Sequence, residues 1–244
     1  MPIRRNQQKT LSLIIKFFYK YKMLSKIKSL IDEHGMDYWK SNIVETTDPH
    51  KYVRSYHKHS FILTENEVKQ CSKTKSNKPD IIINDDYMKI TLTGLEEGEP
   101  VSIDGINNIV IDLRNHRGGY MYHGIKIMQN IYGNTTMYKS CNKWYSLQDG
   151  KLIFDKLGDE LSFKGNIVVL VSEKTASSGE ILALTFMGRK NTTILGCKTG
   201  GYLSMNGFFK IDDKHTLNLT ISRFSDVTDK EYVDECITPR LNID

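Results

Sequence analysis

Two stretches of the chain are almost continuously β-branched and apolar, and they constrain the fold more than any other feature. They are Asn108–Leu113 (N-I-V-I-D-L) and Asn166–Val171 (N-I-V-V-L-V). Runs of this kind are typical of strands that are buried on both faces. Helix-like segments follow them at His123–Tyr132 and Ser177–Met187. Because such strand–helix units return to one sheet by crossovers, the sequence predicts an α/β fold with a mixed, largely parallel sheet.

The N-terminal part of the chain has a different pattern. Apolar residues recur at spacings of three and four through residues 1–56, which predicts helices. Residues 72–79 are polar and aperiodic, which predicts a loop. We therefore expect a helical N-terminal region over residues 1–79 and an α/β domain over residues 80–244. Further strands are expected at Tyr87–Leu92, Thr193–Gly196, Gly207–Ile211 and Thr216–Arg223, the last two joined by a turn at 212–215.

The composition is that of a folded protein and disfavours several classes. Of the 244 residues, 39% are hydrophobic and 26% are charged, so the chain can bury a core without disulfides or metals. Its four cysteines are scattered and form no C-x-x-C pair, which argues against a metal site and against a disulfide framework. The apolar patches within Leu11–Tyr19 are too short, and too often interrupted by lysine, to span a bilayer. We expect a cytoplasmic protein without stable membrane insertion.

The net charge of +5 is distributed unevenly, because basic residues far outnumber acidic ones between Arg4 and Lys40. A basic stretch of this kind can contact nucleic acid or an anionic membrane surface. A solvated helix surface accounts for the same charge, and no RNA-binding signature or zinc-finger spacing accompanies it. Nucleic acid is therefore not an expected partner.

Two polar segments that follow the buried strands can carry chemistry. Thr175–Glu180 (T-A-S-S-G-E) places a serine at a helix start, where unpaired N–H groups and a partial positive charge favour an oxyanion. Taken alone, the segment is explained more simply as a helix cap by Ser177 or Ser178. Asp112–Gly119 (D-L-R-N-H-R-G-G) ends in a glycine pair, which lets the backbone approach a substrate but is also common in tight turns.

In combination these segments are more specific. V-I-D-L-R-N-H-R-G-G, V-V-L-V-S-E-K-T-A-S-S-G-E and L-G-C-K-T-G-G, in this order, resemble the C-terminal processing (tail-specific) serine peptidase family, in particular its tricorn-core and retinoid-binding-protein-like branch. The resemblance implies a crotonase/ClpP-like β-β-α core and a serine endopeptidase that acts on polypeptides without a metal or organic cofactor. Only about 50 residues separate His59 from the Asp112 strand, so we expect no PDZ domain.

The resemblance also assigns roles to individual residues. It makes Ser177 the nucleophile and places the N–H of Ser178 in the oxyanion hole, together with an N–H from one of the two residues Gly118 and Gly119. It gives Glu180 and Thr199 supporting positions around the site.

The base is inferred from a departure from the family pattern. Members with a Ser–Lys dyad carry lysine 25 residues after the serine, and here that position is Tyr202. A histidine is then needed. The segment that begins H-S-F at His59 resembles the one that supplies the base in the tricorn-like branch, with Ser60 as a supporting residue. The alternatives are His57, His116 and His123.

A third group should orient the imidazole and stabilise its charged form. The resemblance favours Glu235, in Y-V-D-E-C-I-T-P-R, with Asp234 as the second choice.

Three other functions remain open on the sequence alone. A peptidase-like binding protein without catalysis would take a peptide or a small apolar ligand, and the residues before His59 and after Pro239 depart from the family pattern in that direction. A crotonase-type acyl-CoA enzyme would use a glycine-turn oxyanion hole but needs no serine at a helix start. A nucleic-acid-binding role depends only on the N-terminal charge. The sequence indicates no oligomeric state.

Overall fold

The computed structural model describes residues 3–71, 76–232 and 235–240. The helices are α1 (Ile3–His34), α2 (Asp37–Lys40), α3 (Pro49–Tyr56), α4 (Glu65–Cys71), α5 (Met121–Ile127), α6 (Gln129–Tyr132) and α7 (Ser178–Leu184). The strands are β1 (Phe61–Thr64), β2 (Asp80–Ile83), β3 (Met88–Thr91), β4 (Asn108–Asp112), β5 (Thr135–Ser140), β6 (Lys143–Gln148), β7 (Lys151–Ile153), β8 (Asn166–Val171), β9 (Thr192–Gly196), β10 (Ser204–Lys210) and β11 (His215–Ser225). None of the helices in this part of the chain has both the length and the apolar character needed to cross a bilayer.

Contacts group the chain into two compact units. The first contains Met1–Lys73 and Asn206–Ser222, and the second contains Thr74–Met205 and Arg223–Asp244. The predicted division after residue 79 differs from this grouping mainly in residues 206–222, which the sequence assigned to the α/β domain. They join the first unit because β1 pairs antiparallel with the start of β11, from Phe61 opposite Asn218 to Thr64 opposite His215.

The first unit is built on helices, as the N-terminal periodicity predicts. Asp48 begins α3 by accepting hydrogen bonds from the N–H groups of His50 (3.0 Å) and Lys51 (3.3 Å), and Pro49 occupies the first helical position. The helices bury apolar side chains against β1 and β11 in one core, which includes Ile27, Ile31, Val53, Tyr56, Leu217 and Leu219.

The second unit contains a five-stranded sheet in the order β2-β3-β4-β8-β9. The pairings from β3 to β9 are parallel, and β2 is antiparallel to β3. The two strands predicted to be buried are adjacent, with Ile111 opposite Val169. Both of these side chains are fully buried, whereas Val110, Val168 and Leu170, which alternate with the buried residues, are half-buried. The two strands lie where the sequence predicts, but they are fully buried on one face rather than on both.

The same unit also contains antiparallel strands. β5 pairs with β6, β6 pairs with β7, and the last two residues of β11 pair with β5. The five-stranded sheet is mixed and largely parallel, as the sequence predicts, whereas these antiparallel strands were not expected. The crotonase/ClpP-like core remains a prediction.

The two predicted helices of this unit are shorter than expected. The segment His123–Tyr132 falls in two short helices, α5 and α6, and α7 begins one residue after Ser177 and ends at Leu184.

The edge strand β2 exposes three consecutive isoleucines. Ile81, Ile82 and Ile83 are 38%, 48% and 61% exposed, respectively. Large apolar side chains on a strand with an unpaired edge are unusual in folded proteins, because such edges recruit other strands.

Candidate active site

Ser177 lies where a buried strand turns into a helix. β8 ends at Val171, and Ser177 is the N-terminal cap of α7. Its backbone has φ 53° and ψ −121°, a sparsely populated conformation that costs a residue with a side chain about 1–3 kcal/mol. Strained strand-to-helix turns are one way in which enzymes expose a nucleophilic side chain. The conformation of Ser177 is the first structural sign of a functional site.

Hydrogen bonds hold the turn before Ser177 against the end of β4. The hydroxyl of Thr175 donates to the carbonyl of Leu113 (2.8 Å), and the N–H of Ala176 donates to the carbonyl of His116 (2.9 Å). Because β4 and β8 are adjacent and parallel, the segments that follow them meet at one edge of the sheet. The two polar motifs of the sequence are thus brought together within the second unit.

The glycine pair lies directly against the serine turn. Gly118 and Gly119 have φ 107° and 135°, which residues with a side chain rarely adopt. A Cβ on Gly118 would lie 3.0 Å from the Cβ of Ser177, so a glycine is needed for this close approach.

The two glycine N–H groups have different surroundings. The N–H of Gly118 donates to Nδ1 of His116 (3.3 Å). The N–H of Gly119 donates no hydrogen bond within the described residues. Of the pair expected from the sequence, Gly119 is therefore the one whose N–H is available to a bound oxyanion.

Ser178 is the first residue of α7, so its N–H has no acceptor within the helix. Its side chain is buried, and Oγ has no hydrogen-bond partner in the described part of the structure. A buried hydroxyl without a partner costs about 1–3 kcal/mol. The side chain of Ser178 thus does not stabilise the helix start in the way that a cap would.

Glu180 is fully buried and joins the serine turn to a second segment. Its Oε2 accepts from the N–H groups of Ser177 (3.0 Å) and Tyr202 (2.7 Å). Its Oε1 accepts from the hydroxyl of Thr199 (2.5 Å) and the N–H of Gly201 (2.8 Å). Burial raises the pKa of Glu180, and the four hydrogen bonds oppose that shift. The two residues expected to support the site, Glu180 and Thr199, are therefore in direct contact.

A second buried glutamate supports the glycine pair, and sequence reasoning missed it. Glu96 accepts hydrogen bonds from the N–H groups of Thr93 (2.7 Å), Gly94 (2.8 Å) and Leu95 (3.1 Å). Gly94 contacts the pair, since a Cβ on it would lie 1.8 Å from the carbonyl oxygen of Gly118. The available signal was the Thr–x–x–Glu spacing in T-G-L-E, which resembles a cap but precedes no helix.

His116 links the glycine pair to α7. It is 2% exposed, and burial lowers its pKa to about 4. Because Nδ1 accepts the N–H of Gly118, the neutral ring carries its proton on Nε2. A Cβ on Gly179 would lie 2.7 Å from both Nδ1 and the carbonyl oxygen of His116. These contacts give His116 a structural role.

His123, another alternative base, is partly buried in α5. Its ring centroid lies 5.2 Å from that of Tyr120.

His59 belongs to the first unit and precedes β1. Its carbonyl oxygen accepts hydrogen bonds from the side-chain amides of Asn206 (2.9 Å) and Asn218 (3.4 Å). Burial is the main reason that the pKa of His59 falls to about 4, and the neighbouring His57 and Lys58 lower it further. The imidazole of His59 is therefore neutral at pH 7.

His57 and Ser60 contact the backbone and side chains around them. Nδ1 of His57 accepts from the N–H of His59 (3.1 Å) and lies 2.8 Å from Oγ1 of Thr220. Its ring centroid is 4.6 Å from that of Trp39. Oγ of Ser60 accepts from the N–H of Thr220 (2.9 Å) and donates to its hydroxyl (3.2 Å). Both residues thus anchor the segment that carries His59.

Glu235 is buried in the second unit. Its carbonyl oxygen accepts from the N–H of Leu203 (2.9 Å), and its φ of 55° is unusual for a residue with a side chain. Its role beside a histidine remains a prediction. Asp234, the second choice, lies outside the described residues.

No group of three or more His, Cys, Asp or Glu side chains among the described residues has an arrangement that could hold a metal ion.

Comparisons with known proteins place the chain in a family. The model of peptidase family S41 matches residues 83–243. The nisin-resistance protein of Lactococcus lactis is 28% identical over 206 residues, which are 75% of this chain and 65% of that protein. A carboxyl-terminal-processing protease of Synechocystis is 28% identical over 120 residues, which are 49% of this chain and 27% of that protein. The chain thus spans less than two thirds of the length of these relatives.

Solved structures support the same fold. A lipoprotein from Streptococcus agalactiae has a TM-score of 0.62 at 24% identity, with 80% of this chain and 75% of that chain covered. A putative peptidase from Parabacteroides merdae has a TM-score of 0.56 at 11% identity, with 92% and 88% covered. Because the family model covers well over half of the sequence, the chain belongs to peptidase family S41, a family of serine peptidases.

Proposed function

We propose that the chain is a serine endopeptidase with Ser177 as its nucleophile. The observation that carries this proposal is the strained backbone of Ser177 at the start of α7, in contact with Gly118. A helix cap alone needs no such conformation, because capping residues ordinarily lie in the β region. Membership in peptidase family S41 gives the site its class of reaction.

The oxyanion hole is assigned to the N–H groups of Ser178 and Gly119. Oγ of Ser177 attacks the peptide carbonyl, its proton passes to the base, and the carbonyl oxygen becomes an anion between the two N–H groups. One donor of this kind contributes about 3–4 kcal/mol to the transition state. The base then gives its proton to the leaving amine, and water hydrolyses the acyl-enzyme.

We assign the base to His59. The H-S-F segment supports this choice, because it resembles the segment that supplies the base in the tricorn-like branch. The alternatives His57 and His116 each have Nδ1 engaged by a main-chain N–H. Glu235 is our candidate for the group that orients the imidazole, and a polypeptide is the proposed substrate.

The nucleophile is tested with Ser177→Ala. The variant should fold like the wild type but lose turnover of a casein or peptide-library substrate by at least about 10³-fold, and it should no longer react with a fluorophosphonate probe. Ser102→Ala is the matched control, because Ser102 is an exposed serine of the same unit. If Ser177→Ala reacts and cleaves like the control, the proposed nucleophile is wrong.

The base is tested with His59→Gln. Removal of a general base should lower kcat/KM by about 10²–10⁴-fold without loss of the fold. His50→Gln, at an exposed position of the same unit, should leave kcat/KM unchanged. A wild-type rate in His59→Gln would overturn the assignment.

A second function, peptide binding without catalysis, is favoured by the departures from the family pattern around His59 and after Pro239. It predicts a wild-type protein that binds peptides but that the fluorophosphonate does not label.

A further inference from the structure

The strained conformation of Ser177 requires something that maintains it. A serine relaxes from φ 53° unless surrounding contacts favour that conformation over others. The N–H groups of Ala176 and Ser177 are each held by one acceptor. His116 fixes the preceding residue, Ala176, and Glu180 accepts the N–H of Ser177 itself. Glu180 is therefore the side chain that acts on the strained residue directly.

The carboxylate of Glu180 makes more contacts than a helix cap would need. A capping box uses one bond from the glutamate back to the cap residue. Here Oε2 accepts a second N–H, that of Tyr202, and Oε1 accepts two donors from Thr199 and Gly201. Thr199 in turn accepts from the N–H of Ile237 (2.8 Å). The carboxylate is thus the point at which the serine turn and the segment Thr199–Tyr202 are joined.

These four hydrogen-bond donors stabilise the buried carboxylate of Glu180. Among the described residues it has no lysine, arginine or histidine within ion-pair distance. A fully buried carboxylate without a cationic partner is costly unless its oxygens are well hydrogen-bonded. Loss of any of the four hydrogen bonds would therefore leave a buried charge poorly stabilised, which makes the arrangement rigid.

We propose that Glu180 is a positioning residue whose carboxylate holds Ser177 in its strained conformation and ties it to the segment Thr199–Tyr202. Its importance for catalysis rests on the proposed function of Ser177 as the nucleophile. Its effect on the backbone conformation of Ser177 does not depend on that function. The effect on the backbone and the effect on catalysis can therefore be tested separately.

Thermal unfolding tests the holding of the backbone. Glycine adopts positive φ without strain, so Ser177→Gly should raise the Tm of the otherwise unchanged protein by about 2–8 °C. In a Glu180→Ala background Ser177 can relax, and the same change should raise Tm by less than half as much. Glu180→Gln, whose amide can accept at only one of the two oxygen positions, should give an intermediate effect and serves if the alanine variant does not fold.

An equal rise in Tm in all backgrounds, or no rise in the wild-type background, would overturn the proposal, because Glu180 would then not maintain the strain. A melting temperature does not depend on turnover, so these measurements are independent of the proposed activity.

The rate of fluorophosphonate labelling tests the consequence for Ser177. Glu180→Gln should lower the labelling rate at least about 10-fold, since a displaced Oγ loses its alignment with the oxyanion donors. Glu173→Gln is the matched control, because Glu173 is an exposed glutamate that lies four residues before Ser177. In this variant Ser177 should be labelled at the wild-type rate. An unchanged rate in Glu180→Gln would show that the carboxylate does not position the nucleophile. If the wild type itself is not labelled, the proposed function fails, and the melting comparison alone decides the role of Glu180.

Discussion

At the residue scale, the neighbours Ser177 and Ser178 differ in what each side chain contributes. Ser177 has a strained backbone beside Gly118, whereas Ser178 has its hydroxyl buried without a partner. The two are indistinguishable by residue type, and only the backbone conformation and the surroundings of the hydroxyl separate them. What Ser178 can supply to a reaction is its main-chain N–H.

Ser178→Ala should therefore stabilise the protein. It removes a hydroxyl that makes no hydrogen bond within the described residues, so the free energy of unfolding should rise by about 1 kcal/mol. Since the N–H is retained, fluorophosphonate labelling of Ser177 should persist. Urea unfolding and labelling rates measure both effects. A loss of stability would show that the hydroxyl has an important partner.

The sequence pointed to residues within the two polar motifs and, through the resemblance, to Thr199, but it missed the residues that support the glycine pair. Ser177, Gly118 and Glu180 occur in recognisable segments next to buried strands. Gly94 and Glu96 support the glycine pair from more than 20 residues away, through backbone contacts that no local pattern encodes. The choice between Gly118 and Gly119 likewise depended on the direction of a single N–H group.

At the element scale, the first turn of α7 packs directly against the imidazole and the carbonyl group of His116. Gly179 is the second residue of that helix, and a side chain there would meet the imidazole and carbonyl of His116 at 2.7 Å. The helix therefore begins at a position that tertiary contact, rather than helix propensity, dictates.

Gly179→Ala tests this. In an isolated helix the change would stabilise by about 1 kcal/mol, but here the clash should reverse the sign and destabilise the protein by about 1–3 kcal/mol. Gly158→Ala, where a Cβ meets nothing within 4 Å, is the control and should be close to neutral. Urea unfolding compares the two variants. Stabilisation of the Gly179 variant would mean that His116 moves aside freely.

The strands were predicted unequally, for a physical reason. β4 and β8 are almost continuously apolar, with one face buried and the other half-buried, so their apolar runs stand out and their positions were predicted closely. β5, β6 and β7 mix polar and charged side chains with apolar ones and have no continuous apolar run, and no strand was expected there. A turn signal was present in Asp149–Gly150, whose positive φ values of 49° and 75° suit a tight hairpin between β6 and β7.

At the scale of the whole molecule, the half-buried His59 and the buried His116 make stability depend on pH. Burial lowers the pKa of His59 and of His116 to about 4, and one histidine lies in each unit. In the unfolded chain a histidine titrates near pH 6.5. Between these values the unfolded state binds a proton that the folded state does not, so stability falls as pH decreases below about 6.5.

Between pH 7 and pH 5, each of these histidines should reduce the free energy of unfolding by about 2 kcal/mol. Glu180 has a raised pKa and acts in the opposite direction, so a histidine variant is needed to isolate the effect. In His59→Gln the loss between pH 7 and pH 5 should be smaller by that amount, as measured by urea unfolding. His50→Gln, at an exposed position, should keep the wild-type loss. Equal losses in both variants would show that His59 titrates normally in the folded protein.

The three exposed isoleucines of β2 have a consequence for how the protein behaves in concentrated solution. An edge strand with exposed apolar side chains is a template with which a strand of a second copy, or of a partly unfolded chain, can pair. Crowding should therefore promote assembly through this edge before it affects the rest of the fold. A lysine in place of Ile82 would put a charge in the middle of that template and keep the chains apart.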